Sequence, residues 1–276
     1  MKIGEALKAE RKNLGLTQAE MSKDIVSKSH YSRVENDEQK ISSDSLVKIL
    51  ILHHIDINEF WNNIRPSYAE DVDKNSNEVA ALSRKIMQAF YNHDIEAAKV
   101  YRDQILKLKN VNVLRFRAIV AAAVLENNLD AIDQDTKAEI IHEFNKNENW
   151  TQSRDSIRLF ANTMPIFSSE QLNYFVGALL NKYQKTRNMS DIAQERIAIS
   201  CINYLHICCT KNLKNKNISQ SLMLLRELPQ LPHMLMYKVI GRYYQAIFSH
   251  HLDKASEIKE DLKSSGYSDF TKNLPF

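Results

Sequence analysis

Glycine and proline are scarce in this chain, five of each in 276 residues. Hairpins and tight sheet connections depend on those residues, so their shortage argues against strands and for helices joined by short polar loops. Cysteine is scarcer still. Cys201, Cys208 and Cys209 are too few for a disulfide framework. No second Cys/His pair stands at ligand spacing near the vicinal pair, which therefore reads as buried helix residues. No apolar run approaches the roughly 18 residues of a membrane span. Met1-Lys2-Ile3-Gly4-Glu5 lacks the apolar stretch of a signal peptide. A cytoplasmic protein without a membrane partner is expected. An excess of one charge is missing too: the formal net charge is +3, and residues 1–65 hold ten Lys/Arg and ten Asp/Glu. Any contact with a polyanion must come from where the charges sit.

Signals of catalysis are also lacking. There is no HExxH, no GxSxG and no phosphate-binding glycine-rich loop. His53-His54 and His250-His251 are neighbours that diverge on a helix. Asp130, Asp133 and Asp135 lack the glycine and distal glutamate of a calcium loop. No catalytic residue, metal or cofactor is expected.

What the chain does have is helical punctuation. Residues 4–13 predict a short helix, ended by Leu14-Gly15-Leu16. Thr17 predicts the cap of a second, Gln18 to Ile25, with Glu20 at the capping-box position. Ser27 predicts the cap of a third, reaching about Asn36. Ser42-Ser43-Asp44 opens a fourth, and Asp56 a last one ending in Phe60-Trp61. These five helices make a domain over 1–65. Pro66 to Asn77 (PSYAEDVDKNSN) is polar and unpatterned and reads as a linker over 66–77.

Beyond it, over 78–276, helical patterns recur in pairs near 78–92, 94–109, 111–127, 135–147, 152–164, 168–186, 191–212, 217–228, 233–250 and 252–264. AFYNHDIEAAKVYRDQI (Ala89 to Ile105) echoes AIFSHHLDKASEIKEDL (Ala246 to Leu262), with Ala89/Ala246, His93/His250 and Ala98/Ala255 identical. That offset suits four steps of roughly 40 residues, the length of a helix-pair repeat. The expected fold is all-α: a five-helix front domain, then a right-handed superhelix of about five helix pairs. Gly177 and Gly241, inside helical patterns, mark close helix packing.

The stretch LTQAEMSKDIVSKSHYSRVEN, Leu16 to Asn36, resembles the helix-turn-helix of the lambda-repressor/Cro type. One residue is missing between Ile25 and Val26, where that family has glycine, so a tighter turn is expected. The resemblance implies binding to double-stranded DNA, with Gln18 holding a phosphate and Ser27, Lys28, Ser29, Ser32 and Arg33 forming the reading surface. Arg33 would contact guanine, and Arg11 and Glu35 stand where the family has an internal ion pair.

Together with the long helical tail, this front domain resembles the Rgg/GadR/MutR-type regulators. Ile157 to Asn162 and Ile202 to Leu205 carry the rest of the likeness. The resemblance implies a homodimer that responds to a short peptide, with RNA polymerase a candidate further partner. First helices of such pairs line the concave face, so Arg84, Arg154, Asn162, Asn203, Tyr237 and Tyr244 are the candidate peptide contacts. A helical-repeat adaptor and a constitutive repressor whose tail only dimerises are the alternatives.

Overall fold

The computed structural model describes residues 1–72, 76–146, 148–185 and 189–276, leaving aside the side chains of 69–72 and 76. The middle of the expected linker (73–75) and the expected helix ends at 147 and 186 lie outside the described residues. The chain divides into two compact units, Met1–Ala81 and Leu82–Phe276. Among the described residues all regular structure is helical.

The first unit contains α1 (Ile3–Asn13), α2 (Gln18–Ser22), α3 (Lys28–Glu35), α4 (Ser43–Leu52) and α5 (Ile57–Val72). The Thr17 hydroxyl accepts the Glu20 N–H at 3.3 Å, and the Glu20 carboxylate accepts the Thr17 N–H at 2.8 Å. Ser27 and Ser42 start α3 and α4 in the same way; each such cap contributes about 1 kcal/mol. Leu7, Met21, Tyr31 and Ile49 are fully buried, and Val34, Phe60 and Ile64 close the core around them. α1 lies so near α3 that a Cβ on Gly4 would stand 2.0 Å from the Val34 carbonyl oxygen.

Two boundaries differ from those expected. α2 stops at Ser22 rather than Ile25, because Asp24 takes a left-handed conformation (φ +57°). Aspartate tolerates that conformation, and it turns the chain just ahead of the place where the related motif has glycine. The expected linker is also corrected: α5 continues through Pro66 to Val72 instead of ending at Trp61. An internal proline removes one helix bond, but tertiary contacts hold the second half of α5. The Ile3 N–H donates to the Tyr68 hydroxyl at 3.4 Å and the Met1 ammonium to Ser67 Oγ at 2.8 Å. α6 (Ser76–Tyr91) follows, and the division between units falls within it.

The second unit continues with α7 (Ile95–Leu106), α8 (Asn112–Leu125), α9 (Gln134–Asn145), α10 (Arg154–Thr163), α11 (Ser169–Lys185), α12 (Asp191–Thr210), α13 (Lys216–Glu227), α14 (Leu235–Phe248), α15 (Leu252–Ser264) and the short α16 (Ser268–Thr271). Apart from α16, each was expected, in five pairs. The first helices α8, α10, α12 and α14 stack in succession. The second helices lie against them: α7 on α8, α9 on α8 and α10, α11 on α12, α13 on α12 and α14, α15 on α14.

Phe144, Phe160, Phe167, Phe175 and Trp150 form one aromatic knot, with Phe144 and Trp150 centroids 4.5 Å apart. Further along, Tyr204, Leu205, Cys208, Tyr243 and Tyr244 are buried. Cys201 and Cys208 are buried on α12 and Cys209 is half-buried, all three free. Burial pushes the Cys201 thiol up to about 12 and that of Cys208 up to about 11, which makes them poor nucleophiles. A Cβ on Gly241 would meet the Leu225 Cβ at 2.9 Å, so glycine there lets α14 approach α13 closely.

The shortage of glycine is resolved at the helix ends. His54, His93, Asn110, Asn127, Asn212 and His250 all take left-handed conformations that usually call for glycine. His93 and His250, identical in the sequence echo, both have φ +58° just after a helix. The end of the chain reaches back to the first pair: the Tyr91 and Phe270 rings are 6.4 Å apart, and His93 Nδ1 lies 3.1 Å from Asn273 Oδ1. Pro275 accepts a hydrogen bond from the Tyr243 hydroxyl, and Lys259 donates to the carbonyls of Leu274 and Phe276.

Candidate nucleic-acid interface and the row of first helices

In the first unit, α2, its turn and α3 are arranged as two short helices with polar outer faces. Tyr31 and Val34 anchor the inner face of α3 in the core. On its outer face Ser27, Lys28, Ser29 and Arg33 are exposed and Ser32 is half-buried. Ser27 also caps the helix through the His30 N–H at 3.2 Å. Arg33 lies along its own helix, with Nη2 donating to Ser29 Oγ at 3.2 Å and Nε to the Ser29 carbonyl at 3.4 Å. A guanidinium has five donors, so it retains a free edge for an external acceptor.

The balanced charge of this unit is explained by where the carboxylates go. Glu35 is 3% exposed and turned inward. It accepts Arg11 Nε at 2.5 Å, Arg11 Nη2 at 3.0 Å and Gln18 Nε2 at 2.9 Å. Burial pushes the Glu35 carboxyl up, but the bonds from Arg11 and Gln18 outweigh it and hold the group below its ordinary value. The same bond holds Arg11 above its own. Glu20 is occupied at the Thr17 cap. The outward cations of α3, Lys28 and Arg33, have no salt-bridge partner among the described residues.

Gln18 commits one amide hydrogen to Glu35 at 2.9 Å and has the other left to reach outward. His30 was not singled out in the sequence. Its Nδ1 sits 2.7 Å from Gln39 Oε1, a contact made after a turn that no local pattern announces.

The second unit places the remaining candidates on its first helices. Arg84 and Arg154 are exposed, and Asn162, Asn203 and Tyr237 are half-buried. Asn162 Nδ2 donates to the Arg158 carbonyl at 2.7 Å, and Asn203 Nδ2 donates to the Ala161 carbonyl at 2.8 Å, tying α12 to α10. Tyr244 is corrected. It is 1% exposed, its hydroxyl lies 3.1 Å from His206 Nδ1, and it belongs to the core because α14 is covered by both α12 and α13.

Sequence reasoning passed over a more telling set. Arg117 on α8, Arg158 on α10 and Arg196 on α12 stand at similar places in successive pairs, 41 and 38 residues apart. Arg117 is only 4% exposed, yet it makes no hydrogen bond or ion pair among the described residues, and its Nε has no partner. Burial, and then the charge of Arg158, pulls Arg117 down to about 10; Tyr91 and Asp155 offset this in part. Arg158, whose one bond among the described residues is a 3.4 Å contact with Ser83, is lowered by burial and then by Arg154 and Arg196, with Asp155 offsetting in part. A buried cation left unpaired is costly, so Arg117 would be relieved by an anionic partner. At the start of α12 the balance reverses, where His233 lies 3.6 Å from Asp191 and 3.8 Å from Glu195.

These features define a helix-turn-helix unit joined to an array of helix pairs. The comparisons agree with both parts. Residues 7–60 match the helix-turn-helix family, and residues 98–274 match the C-terminal domain of the HTH-type transcriptional regulator Rgg. The chain belongs to the Rgg family of transcriptional regulators. No curated protein matches it. Among solved structures it is similar to the Streptococcus dysgalactiae SHP pheromone receptor Rgg2, with 13% identity, TM-score 0.68, and 99% of this chain and 97% of that one covered. A complex of PrgX with cCF10 is similar at 18% identity and TM-score 0.70, covering 99% and 97%. A Listeria monocytogenes EGD-e chain assigned as a transcriptional regulator gives 18%, 0.72, 98% and 93%. At such identities the likeness is one of fold.

Proposed function

We propose that this regulator binds duplex DNA as a homodimer through Ser27, Lys28, Ser29, Ser32 and Arg33, with Gln18 on a phosphate, and that a short peptide bound along the first helices controls it. The unpaired Arg117, flanked by Arg158 and Arg196, carries the peptide part of the reading. It provides a seat for a carboxylate, while Arg84, Arg154, Asn162, Asn203 and Tyr237 flank the bound chain. Two of the similar structures are a pheromone receptor and a complex with cCF10, which favours a peptide over other anions. Dimerisation is supported by the exposed apolar side chains of Val47, Ile51, Leu52, Ile57 and Trp61 on α4 and α5. Two reading helices on successive half-sites also supply the specificity one lacks. Control requires that the peptide favour one arrangement of the dimer over another. Contact with RNA polymerase and a cytoplasmic location belong to the same proposal.

The test is fluorescence anisotropy with the duplex upstream of the protein's own gene, at two salt concentrations, with and without synthetic peptides encoded beside that gene. Sequence-preferring binding that weakens steeply with salt and loses its preference in Arg33→Ala supports the reading. Binding equal to that of random duplex, unchanged in Arg33→Ala, overturns it in favour of an adaptor. DNA binding that no peptide alters leaves a constitutive repressor.

A further inference from the structure

Between α11 and α13, second helices that carry none of the arginines above, lies a groove of about 490 Å³. Its size falls within the roughly 300–1,000 Å³ of ligand-binding pockets. Asn173, Gly177 and Asn181 follow one another at helical spacing along α11, so two carboxamides flank a bare stretch of backbone. Asn217 and Gln220 face them from α13. Tyr174 stands at the edge, 73% exposed, its ring braced edge-on against Phe175.

Asn217 makes the groove specific. The residue is 1% exposed, and its Nδ2 donates to the Asn173 carbonyl at 2.8 Å and to Asn173 Oδ1 at 2.5 Å. Two acceptors on one nitrogen fix which way the amide points. Its Oδ1 is left beside Gly177 with no donor among the described residues. A buried carbonyl without a donor is unfavourable, and an incoming N–H would relieve it. The ionic groups at the rim are one of each sign, Glu170 and Lys216, which gives a polyanion no foothold. A polypeptide main chain offers what the walls complement: alternating N–H and C=O groups, which carboxamides can pair at both ends.

We infer that the α11–α13 groove docks an extended segment of a partner protein, read through its main chain. One N–H of the segment reaches Asn217 Oδ1, Asn181 and Gln220 pair the flanking peptide groups, and an apolar side chain rests on Tyr174. This surface is separate from the peptide seat on the first helices and does not depend on it.

The experiment pans a displayed library of random twelve-residue peptides on the full chain, after clearing it against Tyr174→Ala protein. Selected peptides are synthesised and their affinity is measured by fluorescence polarisation. The expected result is binding that weakens at least about tenfold in Tyr174→Ala and survives in Tyr174→Phe and Arg154→Ala. N-methylation of a single backbone amide should abolish it. Tyr174 is a surface residue, and an unchanged melting curve confirms that its variants fold. Four outcomes overturn the inference: no selected peptide distinguishes Tyr174→Ala; N-methylation at every position is harmless; a single-stranded oligothymidine displaces the peptides; or Tyr174→Ala merely converts a dimer to a monomer, making the face an interface between copies.

Discussion

Replacing Arg11 by alanine would strand the Glu35 carboxylate inside the first unit. In the structure that carboxylate holds two nitrogens of Arg11 and one of Gln18. The variant keeps only neutral donors, Gln18 and the nearby Tyr31 hydroxyl. Breaking a buried pair from one side costs roughly 3–5 kcal/mol. A unit of this size has about 3–10 kcal/mol of stability in all, so the loss is a large share of it. The effect depends on pH in a defined direction. Because the Glu35 carboxyl is held below its ordinary value, its stabilisation is fully present above about pH 4.5 and fades as the pH falls through the folded-state value. In Arg11→Ala the remaining burial favours the protonated acid, so the gap between variant and wild type narrows on acidification. Urea unfolding followed by Trp61 fluorescence in a Trp150→Phe background, at pH 7 and at pH 4, measures both quantities. A loss under about 1 kcal/mol at pH 7, or an equal loss at both pH values, would refute the reasoning. Arg11→Met combined with Glu35→Leu should recover most of the stability, since no charge is then left buried.

Arg117→Met should stabilise the second unit by about 1–3 kcal/mol, because an unpaired buried cation is removed, while abolishing response to a carboxylate-bearing peptide; calorimetry and a peptide titration read the two effects. Gly4→Ala should cost about 1–3 kcal/mol, since α1 must move away from the Val34 carbonyl, and a lowered urea midpoint for the first unit would show it. Asn127→Gly, at a left-handed position after α8, should gain about 0.5–1 kcal/mol, seen as a small rise in melting temperature.

Much of the fold was legible because its signals are local. Thr17 with Glu20, Ser27, Ser42 and Asp56 each start a helix by accepting a backbone N–H three residues on. The apolar spacing beyond the first unit supplied α6 to α15. The course of α5 beyond Pro66 was not legible, since it rests on Ser67 and Tyr68 meeting the start of the chain. Tyr244 was placed on the wrong face for a related reason: only the stacking of α12, α13 and α14 decides that its ring is enclosed. The Arg11–Glu35 pair was implied by family likeness, while the part Gln18 plays in it came from geometry. The arginine row had left a trace in the sequence, one arginine near every fortieth residue. What sets Arg117 apart within it, burial without a partner, is a tertiary property.

The contacts of Tyr91 and His93 with Phe270 and Asn273 alter the mechanics of the second unit. A stack of helix pairs with two free ends can fray one pair at a time, losing a single seam at each step. Here the tail works as a keystone, and no pair can swing out unless a second seam gives way with it. The first pair is therefore held more firmly than the free end of a linear array of the same length. Movement of the first pair is felt directly at the far end of the unit, where the chain's last residues fasten to it.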